Sequence, residues 1–308
     1  MRTDLDHLPA TKQRELAHVV RVLFEEFEAA LKSATQPWKK QGRILKLVLY
    51  GSYARGDWVE DHAGGYVSDY DILVVVNDER LTDVVDNWSA AEDRLMRDTT
   101  ITGALSAPVS FIVHTLTDLN QQLEKGRPFF ADIVRQGIAL YEAEGFAFAA
   151  PRELPEDEAR AEAKEYFGKW FPSSSAFLSM SKHAAEEGHF NEAAFALHQS
   201  VERAYHCALL VLTLYSPKSH KLNFLRSQAE QIAPELIAAW PREGKFEKRC
   251  FELLRLAYVN ARYSPEYRIT KEELEWLGER VSELQRLVQA VCERRLAPGS
   301  LIGRRSPT

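Results

Sequence analysis

Cysteine is scarce in this sequence of 308 residues, and the three present, Cys207, Cys250 and Cys292, lie far apart. No Cys-x-x-Cys pair occurs, which excludes the zinc ribbons and dithiol redox sites that depend on that spacing. Three buried thiols are expected instead. Long apolar runs are also missing: no stretch approaches the roughly 18 residues that mark a membrane-spanning helix, so no membrane association is expected. The opening residues MRTDLDHLPATKQREL hold no apolar signal core, and a cytoplasmic location is the expectation. Excess positive charge is absent too. A formal net charge of −6 gives no general attraction to nucleic acid or to an anionic surface.

What the chain has in quantity is carboxylate, unevenly placed. Residues 51–100 carry four Lys or Arg against twelve Asp or Glu. Most of these acids are expected on solvated surface, but those around Asp69 and Asp71 can attract a divalent cation. Residues 11–33 place Leu16, Val19, Val20, Leu23, Phe24, Phe27 and Leu31 at helical spacing. The period then changes: 44–50 and 70–76 are short, β-branched apolar runs that read as buried strands, joined by a third at 109–113 and a fourth at 138–141. Between the second and third strands, 81–96 has helical spacing. After the Pro- and Glu-rich junction at 151–160, strand patterns disappear. Helices are expected at 158–187, with an interruption at Phe171-Pro172-Ser173, and at 190–215, 221–239, 244–262 and 271–294. The fold class is therefore α/β, a small mixed sheet with flanking helices, followed by an all-α bundle. The domains are expected at 1–150 and 151–296, with a disordered tail at 297–308.

The stretch LVLYGSYARGDWVEDHAGGYVSDYDILVVVND, residues 47–78, combines a Gly-Ser turn after one strand with an acid pair on the next. Asp69 and Asp71 are two apart, so on a strand they project from one face. Two like charges held together repel unless a cation lies between them, and Mg²⁺ typically takes one or two carboxylates together with substrate phosphates. Gly51 permits close backbone approach, Ser52 adds a hydroxyl donor, and the N–H groups of a helix starting there would favour an anion. Arg55 can reach the same phosphates with its planar fork of donors. Either half alone is more often a simple turn or a solvated pair. Together, ending in Ser68-x-Asp69-x-Asp71, they fit a metal–triphosphate site.

GSYARG followed by SDYDILVVV resembles the signature of the polymerase-β-like nucleotidyltransferases, in particular the minimal nucleotidyltransferase group, over about residues 40–142. The resemblance implies Mg²⁺ at Asp69 and Asp71, nucleotide contacts at Gly51, Ser52, Arg55 and Ser68, and transfer of a nucleoside monophosphate, most favourably AMP from ATP, to an unidentified acceptor on a small molecule, a protein or an RNA end. Two departures stand out. The interval of 18 residues from Gly51 to Asp69 is long, with DWVEDHAGGY as an apparent insertion and flexible lid. The family's third carboxylate on a following strand is missing as well: in PVSFIVHT, Ser110, Ile112 and His114 share one face and Val109, Phe111 and Val113 the other. His114 is one substitute base, although a lone His near a strand end is more often structural; Asp57, Glu60 and Asp61 are weaker substitutes.

In the helical half, His198, Glu202 and His206 fall four apart on a mostly apolar helix. They form a polar stripe that must find partners, either as a network fixing helix register or as a groove for nucleotide or RNA. LHQSVERAYH together with LLRLAYVNARYSPEYRITKEELEWL is similar to the HEPN family over about residues 158–295. Ribonuclease members of that family carry Arg followed at close spacing by His. At that spacing Arg262 is followed by Tyr267, and no His comes later in the chain, so ribonuclease activity is not expected. A nucleotide-binding role with Arg262 on phosphate, and a homodimer through this domain, are the expectations that survive. Three readings result: a nucleotidyltransferase, a non-catalytic nucleotide sensor or scaffold, and a fused toxin–antitoxin-like pair.

Overall fold

The computed structural model describes residues 1–32, 34–61 and 66–298. The chain divides into two compact units, Met1–Glu153 and Leu154–Thr308. The first opens with α1 (Ala10–Lys32) and a short α2 (Pro37–Lys40), followed by β1 (Ile44–Tyr50) and α3 (Gly51–Arg55). A small hairpin, β2 (Glu60–Asp61) and β3 (Tyr66–Val67), precedes β4 (Tyr70–Val76), α4 (Val84–Asn87) and α5 (Ser89–Thr100). The unit ends with β5 (Val109–Thr115), α6 (Leu116–Glu124), α7 (Pro128–Gln136) and β6 (Ile138–Glu142). The four long strands form one sheet in the order β5-β4-β1-β6, with β4 antiparallel to β1 and parallel to β5, and β6 antiparallel to β1.

Alternation along the strands sets the layers. Leu47 and Leu49 of β1 and Tyr70, Ile72, Val74 and Val76 of β4 face a core completed by Leu16, Val19, Leu23 and Phe27 of α1 and by Trp88, Ala91 and Leu95 of α5. Each such aliphatic side chain contributes about 1.5–3 kcal/mol on burial. The intervening residues Val48, Asp71, Leu73 and Val75 belong to the opposite face and are buried as well. On that face α7 comes so close to β1 that a Cβ at Gly137 would lie 2.4 Å from the Ile133 carbonyl oxygen and 2.8 Å from Val48 Cγ1.

The stretch 81–96, expected as one helix, is instead a 3₁₀ turn at Glu79–Thr82 followed by α4 and α5. The side chains of Asp78 and Asp83 accept the Arg80 and Asp86 N–H groups, so each starts a new element rather than continuing the last. Of the segment expected as a lid, residues 62–65 lie outside the described residues, and its flanks pair as β2 and β3. Of the tail expected to be disordered, residues 299–308 lie outside them.

The second unit is helical: α8 (Glu156–Glu186), α9 (Phe190–Thr213), α10 (Leu222–Ile232), a 3₁₀ turn at Pro234–Ala239, α11 (Lys245–Tyr263) and α12 (Lys271–Leu296). The helix α8 runs through Pro172 without the expected interruption. Proline there removes one backbone bond, and cross-helix bonds hold the segment in place: Ser174 Oγ donates to the Ser200 carbonyl at 2.8 Å and Ser181 Oγ to that of Ala193 at 2.8 Å. Pro234, by contrast, ends α10 and shortens the helix expected over 221–239.

The polar stripe on α9 is a bonded network. His198 Nδ1 donates to the Leu254 carbonyl at 3.0 Å, His220 Nδ1 to Glu202 Oε1 at 3.0 Å, and His206 Nδ1 lies 2.6 Å from Ser216 Oγ. Burial pushes the Glu202 carboxyl up, but hydrogen bonds from His198 and His220 outweigh it and hold the group below the usual carboxylate range. Burial depresses the His206 imidazole below its ordinary value of 6.5, partly opposed by the Glu202 charge.

Two outcomes are expected. Gly137→Ala overpacks the α7–β1 crossing and should cost about 1–3 kcal/mol, read as a lower urea midpoint for the first unit. For the helical unit, a folded-state His206 held neutral means that the unfolded chain binds the extra proton, so stability falls as pH drops below 6.5. A urea series from pH 7.5 to 5.5 should show that slope, and His206→Asn should flatten it.

Candidate active site

Several candidate residues named from the sequence gather where β1 ends and β4 begins. Antiparallel register sets Tyr50 opposite Asp71, so the chain leaves β1 into Gly51 and Ser52 at the same sheet end at which Ser68, Asp69 and Asp71 enter β4. Gly51 has φ +74°, a left-handed value that glycine adopts without a Cβ penalty. The turn then closes as the five-residue α3, whose Ser52 carbonyl receives the Gly56 N–H at 2.8 Å and the Asp57 N–H at 3.1 Å. So short a helix carries little macrodipole. An anion at this turn would meet individual N–H groups and the Ser52 hydroxyl rather than the dipole of a longer helix, which the sequence suggests from Tyr53 onwards.

Ser52 is 5% exposed, and its Oγ is buried with no hydrogen-bond partner among the described residues. An orphaned buried hydroxyl costs free energy unless a ligand satisfies it. Asp69 is 9% exposed and Asp71 is fully buried. Across the parallel pairing, Asp71 stands beside Ser110 of β5, and Ser110 Oγ donates to Asp69 Oδ2 at 2.8 Å. Sequence reasoning placed Ser110 on a face with Ile112 and His114 but gave it no part in the site. The strand alternation contained that signal; the register between β4 and β5 did not.

The remaining candidates have partners of their own. Arg55 ends α3, and its guanidinium pairs with Asp57 at 3.1 Å. Ser68 accepts the Val59 N–H on its Oγ at 2.9 Å and donates its own N–H to the Val59 carbonyl, which fastens the inserted segment to β4. Glu60 pairs with Lys12 and accepts from Tyr53 Oη at 3.3 Å. His114 lies opposite Val75, four residues along β5 from Ser110, or about 13 Å at strand rise. Its Nδ1 bonds Asp118 at 2.7 Å, and its ring meets Phe130 edge-on. It is thus a satisfied structural imidazole and no substitute for a base beside the acids. Arg262 belongs to the second unit, at the end of α11, with its guanidinium over the rings of Tyr258 and Phe195.

One carboxylate was missed altogether. Asp132 of α7 lies in the field of Arg55; burial raises its carboxyl above the usual range while Arg135 and Arg55 oppose the rise. A single acid within a helix of apolar spacing gives no sequence signal.

Beneath the turn, Tyr53 stacks on Trp58 at 5.3 Å and meets Tyr70 at 4.3 Å with the rings tilted by 37°. Tyr70 Oη donates to Glu15 at 2.8 Å and Lys12 Nζ to Ser106 Oγ at 2.6 Å. Burial, reinforced by Glu60 and Glu15, pushes both phenols above their ordinary range, so they remain protonated donors. This network ties α1 to the floor of the site.

The donor set fits a hard divalent cation: two carboxylates, Asp71 in β4 and Asp69 just before it, with substrate phosphate oxygens and water to complete the shell. Among the described residues, no group of three or more His, Cys, Asp or Glu side chains is arranged to hold a metal by itself.

Comparison with known proteins places two family models on the chain, a nucleotidyltransferase domain over residues 29–127 and a HEPN domain over residues 167–291. A stretch of 51 residues, 17% of the chain, is 51% identical to a protein of Methanocaldococcus jannaschii named "putative protein adenylyltransferase", and spans 40% of that relative's length. Strand edge, acid pair and helical bundle thus agree with the family assignments: the chain joins a nucleotidyltransferase domain to a HEPN domain.

Proposed function

We propose that the first domain transfers a nucleoside monophosphate, favourably AMP from ATP, to an acceptor hydroxyl with release of pyrophosphate. The observation that carries this reading is the pairing of Tyr50 with Asp71, which gathers Ser52, with its unbonded hydroxyl, and the two acids at one sheet end. In this reading Asp69 and Asp71 hold Mg²⁺. When bound, the cation draws charge from the phosphate oxygens and favours departure of pyrophosphate. The Ser52 hydroxyl and the backbone N–H groups of the Gly51 turn bind phosphate oxygens, and Arg55 exchanges Asp57 for the triphosphate. The acceptor oxygen forms a bond to the α-phosphorus as the bond from that phosphorus to the bridging oxygen breaks. The acceptor proton leaves to solvent, since His114 stands too far along β5 to take it.

The name of the archaeal relative favours a protein as the acceptor. The helical domain contributes nucleotide or acceptor binding, with the exposed Arg262 over Tyr258 as its phosphate-directed cation.

Incubation of the full chain with labelled ATP and Mg²⁺ should release pyrophosphate and label the protein itself or an added acceptor protein. Asp69→Asn and Asp71→Asn should each lower the rate by more than about 100-fold, since direct ligands matter more than the supporting partners whose loss costs 10–100-fold, with circular dichroism unchanged. Triphosphate binding without turnover in the wild-type chain would favour the sensor reading instead. Ser52→Ala removes a donor to a charged group and should raise the KM for ATP about 10-fold or more; an unchanged KM would remove Ser52 from the phosphate site.

A further inference from the structure

The side chain beside the acid pair is a hydroxyl, and its bonding gives it a definite task. Ser110 lies next to Asp71 in the β4–β5 register, and its proton is directed at Asp69 Oδ2, 2.8 Å away. We infer that Ser110 is a positioning residue that fixes the Asp69 carboxylate toward one divalent ion, so that the site takes a single cation with its triphosphate. This inference rests on the nucleotidyl-transfer reading and adds the ion count and the residue that sets it.

Three observations support it. A carboxylate at the mouth of a strand rotates about its terminal torsion unless a partner fixes its plane, and a charge-assisted hydrogen bond from a rigid neighbouring strand does so. A neutral hydroxyl whose proton is committed to Asp69 supplies no negative charge, whereas two cations about 3.5–4 Å apart require anionic oxygens to bridge and flank them. Of the other acids named for the site, Asp118 bonds His114 farther along β5, Glu60 pairs with Lys12, Asp57 with Arg55, and Asp132 stands on α7 within 4.0 Å of Arg135. Among the described residues, no group of three acids or imidazoles is set to hold an ion. The two acids with phosphate oxygens satisfy one Mg²⁺-like ion.

The test counts ions rather than turnover. Full-length protein is dialysed against Mn²⁺ with an ATP analogue bearing a methylene between the α- and β-phosphorus, and retained Mn²⁺ is measured by electron paramagnetic resonance. One ion per chain is expected for the wild type. Ser110→Ala should weaken Mn²⁺ retention about 10- to 100-fold, the effect of losing a partner that orients a metal ligand, and Ser110→Thr, which keeps the hydroxyl, should restore it. Two ions in the wild type, or Ser110→Ala retaining Mn²⁺ as tightly as the wild type, would overturn the inference while leaving the nucleotidyl-transfer reading intact. If Asp69→Asn and Asp71→Asn retain Mn²⁺ and analogue as the wild type does, that reading falls and the inference falls with it.

Discussion

The active end of the first domain depends on one backbone constraint, the antiparallel pairing of β1 with β4 in a register that sets Tyr50 against Asp71. A shift of one residue would turn every alternate side chain to the other face. The acids would then enter the core occupied by Tyr70 and Ile72, and those aromatic and aliphatic groups would face the site. Burial of both faces along β1 and β4 makes such a slip costly, because each strand would exchange two sets of packed residues at once. The chemistry inherits its precision from the packing.

That register explains where the acids are; the layer below explains why the turn stays opposite them. Tyr53 is the one large side chain of α3 that points into the core, clamped between Trp58 and Tyr70. Around it Lys12 faces Glu60, Ser106 and the two phenol rings. A buried cation of this kind is tolerated when carboxylate, hydroxyl and ring faces surround it. The same residues therefore serve α1, the inserted segment and the Gly51–Ser52 turn. Ser68, bonded twice to Val59, extends that tie to the first residues of β4.

Much of this was legible in the sequence because strand signals there are strong and local. The runs at 44–50 and 70–76 coincide with β1 and β4, and 109–113 and 138–141 extend by only one or two residues into β5 and β6. What was not legible depends on partners. The helices α6 and α7 were not identified, although Leu116, Leu119 and Leu123 fall at helical spacing, Thr115 caps the first through Asp118 and Pro128 opens the second; at nine residues each they give only two turns of that pattern. Pro172 and Pro234 look alike in sequence and behave oppositely, since only the first is spanned by serine bonds to a neighbouring helix. Within the site, the Asp pair and the Gly-Ser turn were readable as motifs. The Ser110 bond and the isolation of His114 needed the parallel register between β4 and β5, a long-range pairing that no local pattern encodes.

The helical domain shows the same division between what residues are and what they are free to do. Its polar stripe, His198, Glu202 and His206, was open to a structural or a binding interpretation, and the bonds decide for structure: each group is engaged by Leu254, His220 or Ser216. A carboxylate held ionised by flanking imidazoles fixes α9 against α11 and against the connection to α10. Any ligand chemistry in this domain must then come from its exposed rim. There the Arg262 guanidinium lies 4.5 Å from the Tyr258 ring centre, and His220 stacks on the same ring at 4.7 Å. The buried network orients that ring pair through His220, whose Nδ1 is held by Glu202 while its side chain is largely exposed. The stripe thus acts on the rim indirectly, by holding the aromatic platform on which Arg262 rests.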